Sequence, residues 1–199
     1  MGRKVTDNTA ITGANTATGD LVMIVDVSDT TDAATGTNKK ITRAELEVSV
    51  RNAATAARMV TLNATSLAVT AALHDGRIVL MTHTAAASTA TLPAATGSGA
   101  RFLFVVGAVN TSGGHIINVT GNDVMHGNIW TNSTGDTPDL GQPWPTAADS
   151  DTITLSGTDT GGVKIGDWIE CVDIAADKYW VRGMTTTSGT ELTPFSAAV

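Results

Sequence analysis

The stretch TLPAATGSGARFLFVV, residues 91–106, holds the two features on which the fold and function of this chain depend. A small-residue loop containing Gly97 and Gly99 leads directly into an apolar segment. A glycine loop beside a buried strand either cradles a phosphate or makes a turn in a protein without catalytic chemistry. The phosphate-binding pattern needs a helix N-terminus after its glycines, whereas ARFLFVV is typical of a strand. The sequence therefore favours a hairpin turn followed by a buried strand.

Short apolar runs separated by Gly, Asn, Asp and Pro lie on both sides of this stretch, from Val60 onward. Recurrent short strands with turn signals between them predict an all-β domain over residues 59–199, a β-sandwich or a barrel-like domain, with a jelly-roll-like arrangement as one form. No internal repeat of roughly 20–50 residues is visible, which argues against a solenoid or a propeller.

The segment DWIECVDI shows the period of two that defines the two faces of a strand. One face carries Trp168, Glu170 and Val172. The other carries Asp167, Ile169, Cys171 and Asp173. The pattern favours a packed, unreactive thiol at Cys171, because no nearby histidine suggests an activating base.

Residues 1–58 lack the recurrent short apolar runs of the β-domain. They are predicted to form an extended N-terminal arm for assembly or docking. The first 19 residues are small and polar without periodicity. LVMIVDV, residues 21–27, is a β-prone segment without an evident local hairpin mate, so we expect it to pair within the core or with another chain. The predicted assembly contacts in this segment are Leu21, Val22, Met23, Ile24 and Val25.

A short helix is predicted over residues 43–58 of the arm. Thr42 and Glu45 have the spacing of a capping box, in which two side chains satisfy the free amides at a helix start. Leu46 and Val50 lie on the thin apolar side of this helix and are two further predicted assembly contacts.

Composition excludes several classes of function. The formal net charge is −7, the pI is about 4.8 and charged residues make up 16 % of the chain. No positive field is available to hold a nucleic acid backbone, so no nucleic-acid partner is expected. The chain shows neither a signal peptide nor an apolar run of the roughly 20 residues that a bilayer requires, so no membrane partner is expected either.

Candidate catalytic and metal-binding side chains are dispersed. His115 and His126, with Asp123 nearby, could approach a metal ion, but satisfied or exposed histidines are the favoured interpretation. Four aspartates, Asp149, Asp151, Asp159 and Asp167, lie in turn-like stretches. Such side chains commonly bond their own backbone rather than hold a calcium ion or act as a carboxylate pair. No nucleophile, base and oxyanion site assemble, so we expect neither an enzyme nor a cofactor.

Trp144 differs from the other tryptophans because GQPWPTAAD places it between two prolines, in a predicted loop. It could stack on a sugar, plug the base of its own sandwich or fill a pocket on a neighbouring chain. We include it among the predicted assembly contacts.

Two parts of the chain resemble tailed-bacteriophage virion proteins. GDLVMIVDVSDTTDAATGTNKKITRAEL, residues 19–46, resembles an N-terminal module of such proteins, in which a strand, a Thr/Gly loop and a short helix precede a β-rich domain. Residues 76–119, which contain TLPAATGSG, and GDWIECVDIAADKYWVRG, residues 166–183, are similar to β-domains of phage head-decoration and fibre proteins.

This resemblance implies a structural protein of the virion. The expected function is that of a capsid decoration, or cement, protein, made in the cytoplasm of the host bacterium and bound to the exterior of the phage head. Its expected partners are the major capsid protein and its own copies, as a homotrimer. The alternative is a tail fibre or tail adaptor component whose β-domain recognises a host glycan.

Overall fold

The structure, a computed structural model, describes residues 21–26, 37–42, 44–46, 58–135 and 141–197. Contacts between residues divide the chain into two units, Met1–Ala56 and Ala57–Val199, and each is described by itself.

The first unit contains a β-hairpin of β1 (Leu21–Asp26) and β2 (Thr37–Thr42). The strands are antiparallel, with Leu21 opposite Thr42 and Asp26 opposite Thr37. The expectation that LVMIVDV lacks a local mate is therefore wrong. The mate, TNKKIT, carries no apolar alternation that would mark it as a strand, but backbone hydrogen bonds need none.

The predicted capping box at the end of β2 is confirmed. The Glu45 amide donates to Thr42 Oγ1 at 3.2 Å, and the Thr42 amide donates to Glu45 Oε2 at 2.8 Å. Residues 44–46 are helical, with Leu46 40 % exposed. Residues 43 and 47–57 of the predicted helix, including Val50, lie outside the described residues, as do residues 1–19, and Arg58 is not helical.

The second unit is a two-sheet β-sandwich, which confirms the all-β prediction. Its strands are β3 (Met59–Leu62), β4 (Ser66–Ala68), β5 (Arg77–Met81), β6 (Ser88–Thr91), β7 (Arg101–Val106), β8 (His115–Asn118), β9 (Val124–Ser133), β10 (Gly141–Pro145), β11 (Thr152–Leu155), β12 (Trp168–Ala175), β13 (Lys178–Thr187) and β14 (Phe195–Ser196). The seven-stranded sheet has the order β10-β9-β13-β12-β7-β5-β3, and the five-stranded sheet the order β14-β11-β8-β6-β4. A single helical turn, Ala71–His74, precedes β5.

The first strands of the sandwich form a short parallel stack. The chain alternates between the sheets, so that β3, β5 and β7 run parallel in one sheet while β4, β6 and β8 run parallel in the other. This is the arrangement of successive coils in a β-solenoid, which the absence of a sequence repeat had argued against. Later strands close the stack, because β12 pairs antiparallel with β7 and β11 pairs antiparallel with β8.

One apolar core lies between the two sheets. Phe102, Phe104 and Val106 of β7 contribute to it from the larger sheet, and Ile117 and Leu155 from the smaller sheet; all five are fully buried. Alternate residues of β7 point inward, as the period of two requires. Burial of this apolar surface at roughly 25 cal/mol per Å² is the main force that holds the sheets together.

The loop in TLPAATGSGARFLFVV does not make a hairpin. It leaves β6 in the five-stranded sheet and enters β7 in the seven-stranded sheet, so the predicted hairpin turn is wrong. The prediction of a buried strand after the loop is confirmed, since β7 lies within its sheet between β12 and β5. The loop is thus a crossover at one end of the sandwich.

Candidate functional site

The crossover loop is an anion-binding cradle that is filled by a carboxylate of the same chain. The backbone amides of Thr96 and Gly97 donate to Asp173 Oδ1 at 3.0 and 2.6 Å. The Ser98 amide and hydroxyl donate to Oδ2 at 3.0 and 2.6 Å. Gly97 has φ +79°, the left-handed conformation that aims successive amides at one point. The loop therefore has the anion chemistry of a phosphate cradle, but its ligand is Asp173.

Burial alone would raise the pKa of Asp173, but the hydrogen bonds from Ser98, Thr96 and Gly97 outweigh it and lower the pKa to about 2. Further hydrogen bonds fasten the loop. Tyr179 Oη donates to the Pro93 carbonyl at 2.8 Å, and the Ala95 amide donates to Asp123 Oδ2 at 2.8 Å. Gly97 also allows the loop to approach β12 closely, since an added Cβ would lie 3.2 Å from Ala175 Cα.

Asp167 and Asp159 also bond groups of the protein. Asp167 Oδ2 accepts from the amides of Gly162, Lys164 and Thr186 at 3.1, 3.3 and 2.9 Å. Burial raises the pKa of Asp167 in spite of these bonds. Asp159 Oδ1 accepts from the hydroxyls of Ser156 and Thr158 at 3.0 and 2.7 Å. Asp167 therefore joins its loop to β13, and Asp159 bonds within its own loop.

His115 lies on β8 of the five-stranded sheet, whereas His126 lies on β9 of the seven-stranded sheet. His115 is fully buried and its Nε2 lies 2.8 Å from the Ala108 carbonyl. The pKa of His115 is lowered, mainly because the side chain is buried. The hydrogen bond with the Ala108 carbonyl raises the pKa in part, and the nearby His83 lowers it slightly further. Within the described ranges, no three His, Cys, Asp or Glu side chains come together in a way that could hold a metal ion.

Cys171 is fully buried in the core, and burial raises the pKa of its thiol, with a further contribution from Glu170. This agrees with the prediction of an unreactive thiol. The predicted division of β12 into two faces is also confirmed, because Ile169 and Cys171 face the core while Trp168 and Val172 lie on the opposite side, half-buried.

The side of the seven-stranded sheet that faces away from the core, here called the outer face, is unusually apolar. An apolar row crosses five neighbouring strands. In it Trp130 lies opposite Met184, Met184 opposite Trp168, Trp168 opposite Val105 and Val105 opposite Leu80. Trp130 and Met184 are 43 % and 49 % exposed. Contiguous exposed apolar surface of this kind marks an interaction site more often than single exposed residues do.

Beside the apolar row lies an ion triad of Glu170 between Arg101 and Arg182. Glu170 is only 5 % exposed, although it lies on the outer face. Arg182 Nε lies 2.6 Å from Glu170 Oε2, and Arg101 bonds Oε1 through Nη2 and through Nε at 3.0 Å. Burial would raise the pKa of Glu170, but the two arginines lower it below its usual value. The guanidinium of Arg182 also lies 5.0 Å from the ring centroid of Trp180.

An open depression of about 450 Å³ lies between the triad and the apolar row. Its walls include Leu103, Val105 and Trp168 in addition to the three charged side chains. An adjoining depression of about 180 Å³ adds Arg77 and Ile78. The outer face therefore combines apolar area with a cluster of arginines and has the features of a binding surface.

Trp144 is the predicted assembly contact that belongs to the second unit. Trp144 lies on the edge strand β10 rather than in a loop, and it is half-buried against the core. This agrees with the interpretation that it plugs its own sandwich. The two flanking prolines are tolerated because an edge strand leaves backbone positions unpaired. Leu21 to Val25 lie on β1, Leu46 is exposed, and Val50 is outside the described residues.

Comparisons of the chain with protein-family models, with curated proteins and with solved structures find no match. Of the helices in the described part of the chain, none has the length and apolar character needed to cross a membrane.

Sequence analysis missed the outer face as a site, although part of its signal is present in DWIECVDI. Trp168 and Val172 flank Glu170 on the side away from Cys171, so an apolar solvent-facing side could have been expected from β12 alone. The partners on β7, β9 and β13 become visible only when the strand order is known.

Proposed function

We propose that this chain is a capsid decoration, or cement, protein of a tailed bacteriophage, which binds the exterior of the head and stabilises the shell. The observation that carries the proposal is the outer face, an apolar surface around an arginine cluster. Such a surface suits a persistent contact with another protein. The resemblance of residues 19–46 and 76–119 to phage virion proteins supplies the setting, and the major capsid protein is the proposed partner.

The side chains that most resemble catalytic groups are all engaged in the fold, which supports a binding role. The glycine loop holds Asp173, and Asp167 holds three amides, so both groups are engaged in the fold. Cys171 is buried with a raised pKa, which removes it as a nucleophile.

The proposed mechanism follows from mass action. A protein that binds the assembled shell but not its dissociated subunits stabilises the shell by RT ln(1 + [L]/Kd) at every site. The contributions of the many sites on one particle add up. A homotrimer would also link three weak contacts and so bind with higher avidity. Each outer face can therefore bind modestly while the whole shell gains substantial resistance to heat.

The test is to add the purified protein to heads of the encoding phage that were produced without it. The proposal predicts saturable binding to the exterior and a higher temperature of head rupture. Heads that bind no protein, or that bind it without any gain in heat or osmotic resistance, would contradict it.

A second candidate function is that of a tail fibre or tail adaptor component that recognises a host glycan. The observation that favours it is the presence of Trp130, Trp168 and Trp180 on the same outer face, because exposed aromatic rings can stack on sugars. Immunogold labelling of intact virions separates the candidates, since decoration predicts label over the head and the alternative predicts label at the tail.

A further inference from the structure

The outer face carries positive charge on an acidic chain. Arg77, Arg101 and Arg182 line its two depressions, and Glu170 is the acidic residue that lines them. Asp75 lies at one end, where its carboxylate accepts the Arg101 amide at 2.8 Å. Even with Asp75 included, three arginines face two carboxylates, whereas the whole chain has a formal net charge of −7. The charge of this surface thus opposes that of the rest of the molecule.

The ion triad leaves hydrogen-bond donors free for a partner. A guanidinium group carries five N–H donors. Arg101 directs Nε and Nη2 to Glu170, and Arg182 directs only Nε to it. The other N–H groups of both arginines have no acceptor among the residues that the structure describes. The two side chains are 60 % and 50 % exposed. Glu170 thereby orients two arginines whose outer edges remain available to an incoming acceptor.

A carboxylate is the group that matches this pair. Arginine forks bind planar carboxylates through two parallel hydrogen bonds, and the apolar walls of the cavity reduce competition from water. The arginines are surrounded by the apolar side chains of Trp168, Val105 and Leu103. The residues next to the carboxylate in the partner should therefore be apolar as well. The complementary partner surface is therefore an apolar segment that carries an Asp or Glu side chain.

A second copy of this chain fits the outer face less well. Two outer faces brought together would place arginines against arginines, and each chain carries a net charge of −7. The area is also small. Five strands about 4.8 Å apart, with about five residues of about 3.3 Å each, give roughly 300–400 Å². A stable dimer buries about 800 Å² per partner. An avid contact repeated over a shell does not need that area at each site.

We propose that the outer face is the surface that contacts the shell, and that it holds an apolar segment of the major capsid protein whose carboxylate binds the free N–H groups of Arg101 and Arg182. This inference rests on the proposed decoration function. It adds the identity of the contact surface and the chemistry of the segment that occupies it.

The experiment uses a pair of substitutions that differ only in the sign of the introduced charge. Met184 lies in the apolar row and is 49 % exposed, so Met184→Glu and Met184→Lys leave the core unchanged. Leu192→Glu introduces the same acidic side chain at a position that is 50 % exposed and lies outside the strands of the outer face. Arg182→Gln removes one arm of the proposed clamp. Binding of each full-length variant to heads produced without the protein is measured by co-sedimentation, and oligomeric state by light scattering.

The proposal predicts that Met184→Glu weakens binding by at least about tenfold, because it places a carboxylate beside the incoming carboxylate. Arg182→Gln should also weaken binding by about tenfold or more. Met184→Lys should retain binding to within about threefold, and Leu192→Glu should match the unchanged protein. All variants should keep the same oligomeric state.

Three results overturn the inference while leaving the decoration function intact. The first is unchanged binding of Met184→Glu and Arg182→Gln. The second is an equal loss for Met184→Glu and Met184→Lys, which would mean that the occupant carries no carboxylate. The third is a change of oligomeric state in the outer-face variants, which would assign this face to a contact between copies. Failure of the unchanged protein to bind heads would overturn both the inference and the proposed function.

Discussion

The carboxylate of Asp173 should hold the crossover loop in place, and Asp173→Asn tests this. The substitution keeps the shape of the side chain but removes its charge and replaces one acceptor oxygen with a donor. That new donor would face groups such as the amide and hydroxyl of Ser98, which now donate to Oδ2. We therefore expect the folded protein to lose stability without losing its fold.

The magnitude follows from the pKa of Asp173, which falls from 3.8 to about 2 in the folded protein. A difference of this size corresponds to about 2 kcal/mol of stability at neutral pH. Asp173 itself is 3 % exposed, but residues 96–99 are exposed, so solvent screens part of the interaction. The expected loss is therefore about 1–2 kcal/mol.

Urea unfolding of the full chain, followed by tryptophan fluorescence, measures this loss. Because the pKa of Asp173 is lower in the folded than in the unfolded protein, its contribution is complete above the unfolded value of 3.8 and disappears as the pH falls towards about 2. The difference between the unchanged protein and Asp173→Asn should shrink over that range. Asp149→Asn is the matched control, because it makes the same change at an exposed aspartate. Equal stabilities of the two variants, or a difference independent of pH, would refute the role of the cradle.

Further substitutions test the loop, the core and the buried histidine. Gly97→Ala should cost about 1–2 kcal/mol more than Gly99→Ala in urea unfolding. Both glycines have positive φ, but an added Cβ at Gly97 would lie 3.2 Å from Ala175 Cα, while at Gly99 it meets nothing within 4 Å. Phe104→Ala should cost about 3–5 kcal/mol, because its ring is fully buried between the sheets; a loss below about 1 kcal/mol in thermal unfolding would contradict that packing. The pKa of His115 is lower in the folded than in the unfolded protein, so its contribution is complete above 6.5 and declines below it. Replacing His115 with Gln should flatten the pH dependence of unfolding in this range, and an unchanged profile would argue against this effect.

Local patterns in the sequence predicted local structure correctly. The alternation in DWIECVDI assigns Ile169 and Cys171 to the core, and the Thr42–Glu45 spacing predicts the capping box. Both depend on residues within a few positions of each other, where the period of a strand or the geometry of a helix start determines which side chains meet.

The parts that were not predictable depend on pairings between distant residues. Asp173 fills the glycine loop from more than seventy positions away, so the composition of TLPAATGSG shows an anion cradle but not its occupant. The parallel stack of β3, β5 and β7 escaped detection because these strands are unequally spaced and their coils share no sequence motif. The hairpin mate of LVMIVDV escaped because TNKKIT is too polar to be recognised as a strand.

The outer face shows the same limit for function. Each strand contributes one or two half-exposed apolar residues, which is ordinary for a single strand. Only the order β9-β13-β12-β7-β5 joins them into one surface around Glu170 and its two arginines. Trp144, the tryptophan singled out from the sequence, packs instead against its own core.

The decoration function can be tested by counting the copies of this chain in a purified virion, with quantitative mass spectrometry against the major capsid protein. A decoration protein that occupies repeated sites over the head should be present in numbers of the same order as the capsid subunits. A count limited to a few copies per particle, as expected for a tail component, or absence of the chain from the virion would contradict the proposed function.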